Sequence, residues 1–376
     1  MVGAVRKQFD VLVVGSLVDF DIIMAEALSR VGLSVAVART PTCPTFNGTA
    51  MAIELRSFSP ANITIVRTVL EFWRLVRSSG AILTITGTLP SFFRHLYPIA
   101  MFLPLPPIFN LATGSDLVEL AHEKSLPGWV YRRLLRKAHW NIVASYPRML
   151  DTVASLGVRN VLFVRHPYAV SDPLPCRKRV ADIVYLHPSN LDWGQSDSGS
   201  QRRSTKNNDR FLRAFMRAVA AGAPVRCIIL DRGPDRQAAR TMIADSHCAD
   251  RFEWRQPVLA SELPALMQEA DVVVDQFETG CAGGITIEAM AQAKPVMTYI
   301  DEEAHGVYYD KMPSILNCRT EDQIFNSIMA NLQSEPLQAL GQRAREWVTA
   351  NHRDQHDIRE LAMRIRLAAQ GNWRRQ

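Results

Sequence analysis

Glu288 stands in a stretch built to receive a phosphorylated ligand. Residues 271–301 run from the apolar, β-branched Val272-Val273-Val274 through Gly280, Gly283 and Gly284 into an alanine-rich helical pattern, then to Pro295 and a second apolar run at 296–300. A short β-branched run bounded by charges suits a strand of a parallel sheet covered on both faces. Glycines let backbone approach a ligand closely. The start of a helix adds unpaired N–H groups and the positive end of its dipole. Gly283, Gly284, Ile285 and Thr286 are therefore candidates for contact with the phosphorylated ligand, and Glu288, one turn inside the helix, for hydrogen bonds with sugar hydroxyls. Cys281, in the same turn, reads as a small filler rather than a nucleophile.

The elements that must position these residues repeat through the chain. At 376 residues it exceeds the usual size of a single core. The first half opens with a strand at 9–15 ending in Gly15, itself a candidate for ligand contact, a helix at 22–30 capped by Gly32, and a strand at 35–38. This is the start of a doubly wound α/β domain. Further strands are expected at 81–86, 107–112, 141–144 and 161–164, with helices at 65–78 and 129–139. No GxGxxG follows Gly15, which argues against a nicotinamide or flavin enzyme. Two prolines and several charges between 171 and 179 mark a linker. The second half then alternates strands at 183–186, 225–230 and 252–255 with helices at 210–221, 236–245 and 263–269. Residues 196–208 are polar and read as a loop.

In residues 288–296, Glu288-Ala289-Met290-Ala291 is followed by Lys294-Pro295-Val296. With the preceding glycine turn, this resembles the donor-binding signature of nucleotide-sugar glycosyltransferases of the GT-B fold, particularly glycosyltransferase family 4. The resemblance implies two Rossmann-like doubly wound domains facing across a cleft. The N-terminal acceptor-binding domain would occupy 1–172 and the C-terminal donor-binding domain 180–355, with a helix at 356–376 crossing back to the first. It implies that Glu288 binds the ribose. It also makes Lys206, in TKNNDRFLRAF, similar to the family's lysine at the entry to the first helix of the donor domain, a basic residue for the departing phosphate. Asn190, a candidate donor contact, falls where the family often has arginine; Arg202, Arg203 or Arg232 could replace that second phosphate contact, each being otherwise a solvated surface arginine. The family's first glutamate, eight residues before the second, is replaced by Gly280, with Glu278 two residues earlier. Thr113-Gly114-Ser115-Asp116 resembles a turn of some bacterial GT-B glycosyltransferases. Asp116 either caps the helix that follows it or acts as general base on an acceptor hydroxyl. A base on the attacking face implies inversion, whereas the family resemblance implies retention.

The function implied is transfer of a sugar from a nucleotide diphosphate donor, UDP- or GDP-linked, to a glycan or polyprenyl-linked acceptor in cell-envelope polysaccharide synthesis. No cofactor and no metal are expected. A catalytically degenerate sugar-nucleotide or protein binding module is the alternative, and an epimerase of the same fold would need additional acids and histidines. Residues 1–170 hold 17 Lys and Arg against 10 Asp and Glu, while the remainder holds 26 against 27. The positive excess thus lies in the first half, where it could attract an anionic membrane surface or a pyrophosphate-linked acceptor. Residues 89–109, rich in aromatics and proline, either rest on lipid or form part of the first core; residues 129–139 form either a basic surface helix or a packed one. No helix-turn-helix, RRM or zinc pattern points to nucleic acid. The six cysteines show no CxxC pair, no transmembrane run or secretion signal is evident, and a cytoplasmic location is expected, with peripheral contact with the inner face of the membrane.

Overall fold

The structure, a computed structural model, describes residues 7–15, 20–39, 63–85, 105–112, 114–143, 146–165, 167, 173–175, 182–194, 205–259, 261–353 and 356–370. Residues 89–104, Thr113, Arg202, Arg203 and most of the 196–208 loop lie outside the described residues. The chain divides into two compact units. One comprises Met1–Ala144, Met149–Pro167 and Asp354–Gln376; the other comprises Ser145–Arg148 and Tyr168–Arg353.

The first unit is organised by a seven-stranded parallel sheet. Its elements are β1 (Phe9–Val14), α1 (Phe20–Arg30), β2 (Val35–Arg39), β3 (Ile63–Ile65), α2 (Val69–Ser78), β4 (Ser79–Ile85), β5 (Ile108–Leu111), α3 (Ser115–Val118), α4 (Leu126–Lys137), β6 (Trp140–Val143), α5 (Pro147–Ser155) and β7 (Val161–Phe163). The strand order is β3-β2-β1-β4-β5-β6-β7. β1 explains why both faces need cover. Val11 and Val13 enter one apolar cluster with α1, and Leu12 and Val14 enter another with α2, because successive strand residues point to opposite faces.

Two local findings refine the sequence reading. Residues 63–65 pair with β2 as a strand rather than beginning a helix. The helix starts later because Thr68 and Glu71 form a reciprocal capping box. α4 is both packed and exposed. It buries Val130, Tyr131, Leu134 and Leu135, and it turns Leu126, Trp129, Arg133 and Arg136 outward.

The second unit contains β8 (Ile183–His187), α6 (Asp209–Ala220), β9 (Val225–Leu230), α7 (Arg236–Ala244), β10 (Phe252–Arg255), α8 (Leu263–Met267), β11 (Val272–Val274), α9 (Gly284–Ala291), β12 (Val296–Thr298), α10 (Glu302–Gly306), β13 (Leu316–Asn317), α11 (Glu321–Ala330) and α12 (Ser334–Val348). Its six parallel strands run β10-β9-β8-β11-β12-β13. Val272 and Val274 join the cluster that contains Phe211 and Phe215 of α6, whereas Val273 joins the cluster on the opposite face with Ile287 and Met290 of α9.

The last helix, α13 (His356–Ala369), belongs to the first unit. Ile358, Leu361, Ala362, Ile365 and Ala368 form its buried stripe and enter the core beside α1 and β4. Gly80 lets it come close: a Cβ there would stand 2.8 Å from that of Ala369. Asp357 anchors the helix start, accepting from the backbone N–H of Arg165 at 3.0 Å.

Candidate functional site

In open parallel sheets, ligands bind beyond the carboxyl ends of the strands where the strand order reverses. In the second sheet that point lies between β8 and β11, which pair with Tyr185 opposite Val272 and Leu186 opposite Val273. His187 ends β8, and Asp275 directly follows β11.

Asp275 organises the site. It is fully buried and accepts from Ser189 Oγ at 2.5 Å, Thr286 Oγ1 at 2.8 Å and Lys206 Nζ at 3.0 Å. Burial alone would raise its pKa. The Lys206 ammonium and the hydrogen bonds from Ser189, Lys206 and Thr286 outweigh that effect and hold the carboxyl below its ordinary value. The same carboxylate serves the start of α9. Gly283 is the N-cap residue but has no side chain to cap with, and a Cβ there would lie 2.7 Å from Asp275 Oδ2. A negative group from a neighbouring strand thus sits at the positive end of the helix. Gly284, Ile285 and Thr286 open the helix, so their amides have no partner four residues earlier.

The turn leading into α9 is fixed by backbone bonds. Gln276 donates through Nε2 to the Cys281 carbonyl at 2.9 Å, and its own carbonyl accepts from Tyr299 N at 2.8 Å. Gly280 has φ of +74°, and a Cβ there would approach that of Asp301 to 3.1 Å. A glutamate at 280 would be strained in this turn. Glu278 is committed elsewhere: its carboxylate pairs with Arg210 at 2.9 Å and Arg319 at 3.4 Å, and accepts from Asn207 Nδ2 at 3.3 Å. Burial pushes the Cys281 thiol up to about 11, which keeps it protonated and poorly nucleophilic.

Lys206 is held on both sides of its backbone, donating to Asp192 O at 2.9 Å and accepting from Phe277 N at 2.8 Å. Asn207 follows in the left-handed region with φ of 47°, where asparagine is tolerated better than most residues. Asn190 is placed in the neighbouring loop, where its carbonyl accepts from Asn208 Nδ2 at 2.8 Å. That loop lies against the residues following β9. Leu191 N donates to Arg232 O at 3.0 Å, and a Cβ on Gly233 would stand 2.3 Å from Leu191 N. Arg232 therefore occupies the ground next to Asn190. Burial lowers its pKa, while the carboxylates of Asp275 and Glu288 act in the opposite direction. Glu288 is half-buried, in the second turn of α9.

The structure thus gathers Lys206, Gly283 and Thr286 around Asp275, with Arg232 in electrostatic reach of both Asp275 and Glu288. The other two sequence candidates belong to the first unit. Gly15 directly follows β1 with φ of +90°. Asp116 lies inside α3 rather than at its N-cap. It accepts from Gly114 N at 3.0 Å and from the Tyr131 hydroxyl at 2.9 Å, and is 7% exposed. Sequence reasoning missed Asp275 as the hub. The available signal was an acid at the exit of a buried strand. Among the described residues, no three His, Cys, Asp or Glu side chains converge as a metal-ligand set, and no helix is long and apolar enough to cross a membrane.

Residues 198–316 match the family model described as Glycosyl transferases group 1. No curated protein sequence matches the chain. Among solved structures, Anabaena Alr3699/HepE in complex with UDP and glucose superposes with a TM-score of 0.65 at 12% identity, over 95% of this chain and 99% of that one. Sucrose-phosphate synthase from Thermosynechococcus elongatus gives 0.64 at 14% identity, over 96% and 99%. S. aureus TarM, in complex with fondaparinux, α-GlcNAc-glycerol and UDP, gives 0.57 at 14% identity and covers 79% of this chain. The chain spans only 57% of the length of TarM. With its two parallel Rossmann-like units and returning C-terminal helix, the chain has the GT-B fold, and its residues 198–316 carry the pattern of glycosyl transferases group 1.

Proposed function

We propose that the protein is a glycosyltransferase that moves a sugar from a nucleotide diphosphate donor, UDP-linked in the first instance, to a glycan or lipid-linked acceptor of cell-envelope polysaccharide. The observation that carries this reading is the buried Asp275, which ties Lys206 to the N-terminus of α9 at the switch point of the second sheet. The group 1 match over the same segment supports transfer over other chemistries of the fold.

In this reading Lys206 and Arg232 supply positive charge to the diphosphate, and the first amides of α9 donate to its oxygens. Charge that builds up as the phosphate leaves then meets fixed donors already in place, which lowers the barrier without reorganisation. Glu288 accepts from the ribose hydroxyls. Because Gly280 offers no carboxylate, sugar recognition falls to other groups around the turn. Asp116, as general base, would take the acceptor proton on a carboxylate that also accepts from the Gly114 N–H and the Tyr131 hydroxyl.

A second reading is a sugar-nucleotide binding module without turnover, favoured by the glycine at 280. Thermal-shift titration against UDP-, GDP-, ADP- and CMP-linked sugars tests both. The glycosyltransferase reading expects stabilisation by one donor class, at least about 2.7 kcal/mol at a hundredfold excess over Kd, together with nucleotide release once an acceptor is supplied. Stabilisation without release in any acceptor mixture favours the binding module. A flat response to all four removes the donor site.

A further inference from the structure

Three arginines of the second unit converge on Glu278. Arg210 pairs with its Oε2 at 2.9 Å, while Arg148 and Arg319 both reach its Oε1 at 3.4 Å. The three guanidinium groups are not equivalent. Arg210 is held by the chain itself, since it also donates to the carbonyls of Phe277 and Arg319 at 3.0 Å each. Arg148 and Arg319 share a single oxygen, at a length beyond the about 2.7–2.9 Å of a well-made charge-assisted bond. Their side chains are 42% and 51% exposed, so a solute can reach them. One carboxylate among three guanidinium groups leaves like charges close together, and a second anion would relieve them. Asp301 is occupied elsewhere, accepting from the Tyr299 hydroxyl at 3.0 Å and from Ala304 N at 2.9 Å, where it caps α10.

The cluster borders the donor turn. Asn207, next to Lys206, donates to Glu278 Oε2 at 3.3 Å. A Cβ on Gly280 would stand 3.3 Å from the ring of Pro147, the residue before Arg148. Arg319 lies over the Tyr299 ring at 4.9 Å, and Tyr299 N donates to Gln276 O at the start of the turn. A sugar on a diphosphate held by Lys206 and the first amides of α9 would thus find guanidinium donors beside it and no carboxylate at position 280. Guanidinium groups donate only, in a fork that matches a carboxylate.

We infer that Arg148 and Arg319 form a carboxylate subsite beside the donor turn, and that the sugar transferred is a hexuronic acid. The inference rests on the donor-site reading above and names the sugar class that reading leaves open. It also gives the glycine at 280 a second sense: a glutamate there would repel the sugar's own carboxylate.

The test is calorimetric titration of the full chain with UDP, UDP-glucose, UDP-galactose and the corresponding acids, UDP-glucuronic and UDP-galacturonic acid. Wild type should bind at least one uronic acid roughly fivefold or more tighter than its neutral counterpart, the combined effect of two partly exposed charge pairs. That ratio should shrink as salt is raised. Arg148→Gln and Arg319→Gln should each lower the ratio, and the double variant should bring it to about one, with UDP affinity and Tm unchanged. Wild type that favours neither uronic acid over its neutral counterpart overturns the inference, as does a double variant that keeps the wild-type ratio. Equal weakening of UDP and all four sugars in the variants, with a lowered Tm, assigns the arginines to holding the turn and overturns it too. The two levels of the account fail separately. Wild-type protein that binds no UDP sinks the donor site, whereas wild type that binds UDP without distinguishing acidic from neutral sugars sinks only the hexuronic acid assignment.

Discussion

The two sheets reverse their strand order in the same way yet differ in how their buried polar groups are partnered. In the first unit, Asp21 of α1 and Arg39 of β2 close on each other in a buried bidentate ion pair at 2.6 and 2.7 Å, and the neutral groups on β4, β5 and β6 close on one another. Thr84 Oγ1 donates to Asn110 Oδ1 at 3.1 Å, Asn110 Nδ2 to Asn141 Oδ1 at 3.2 Å, and Asn141 Nδ2 to Leu135 O at 2.8 Å. At the β8/β11 reversal of the second sheet, an aspartate is buried with a partly exposed lysine, and an arginine whose Nε has no partner among the described residues follows β9. The scaffold is equivalent in both. The difference lies in whether the buried groups satisfy one another: a closed ladder specifies a fold, while a charged set with donors to spare specifies a ligand.

The largest effect that could break this comparison is expected at Asp275. Asp275→Ala removes the acceptor shared by Ser189, Lys206 and Thr286. It should cost about 3 kcal/mol of unfolding stability, at the lower end for a broken buried pair because Lys206 is partly exposed. Its pH dependence has a definite sign. The folded pKa of Asp275 lies below the ordinary value of 3.8, so its stabilisation is fully present above that value and lost as pH falls through the folded pKa. Denaturant melts at pH 7 and at pH 3 should therefore show the gap between wild type and Asp275→Ala narrowing in acid. A gap that widened would place the origin of the stabilisation elsewhere.

A smaller effect is expected in the first unit. Asp116→Asn keeps one acceptor oxygen for the Gly114 N–H and turns an NH2 donor toward the Tyr131 hydroxyl oxygen, which can accept it, so stability should fall by only about 1 kcal/mol. Donor binding should be retained. Turnover then decides between the two roles open to this residue. A loss of a hundredfold or more is of the size expected for a general base; full activity would leave Asp116 as a purely structural acceptor and make the contrast between the two sheets sharper.

Much of this was legible in the sequence. The apolar run at 272–274, the glycines and the helix through Glu288 are local signals, and the structure places them as strand, turn and helix. Lys206 is legible only through the resemblance of TKNNDRFLRAF to the family's entry into the first donor-domain helix. What escaped was non-local. Lys206 and Asp275 are 69 residues apart, and nothing in either neighbourhood indicates that they meet. Asp275 read as the polar boundary of a strand, because a buried charge and a surface charge look alike until the partner is known. The strands at 63–65 and 316–317 are too short to carry an alternation of their own and exist because β2 and β12 offer them an edge. Gly280 was read as a missing glutamate; its positive φ makes it a requirement of the turn.

The central claim, that the reversal point of the second sheet is a nucleotide diphosphate site, is tested most directly by calorimetric titration of UDP into the wild-type protein and into Lys206→Ala and Glu288→Ala. The account predicts saturable binding to wild type, weakened at least roughly tenfold, or about 1.4 kcal/mol, in each variant. Wild-type protein that does not bind UDP, or two variants that bind it as tightly as wild type, would contradict it.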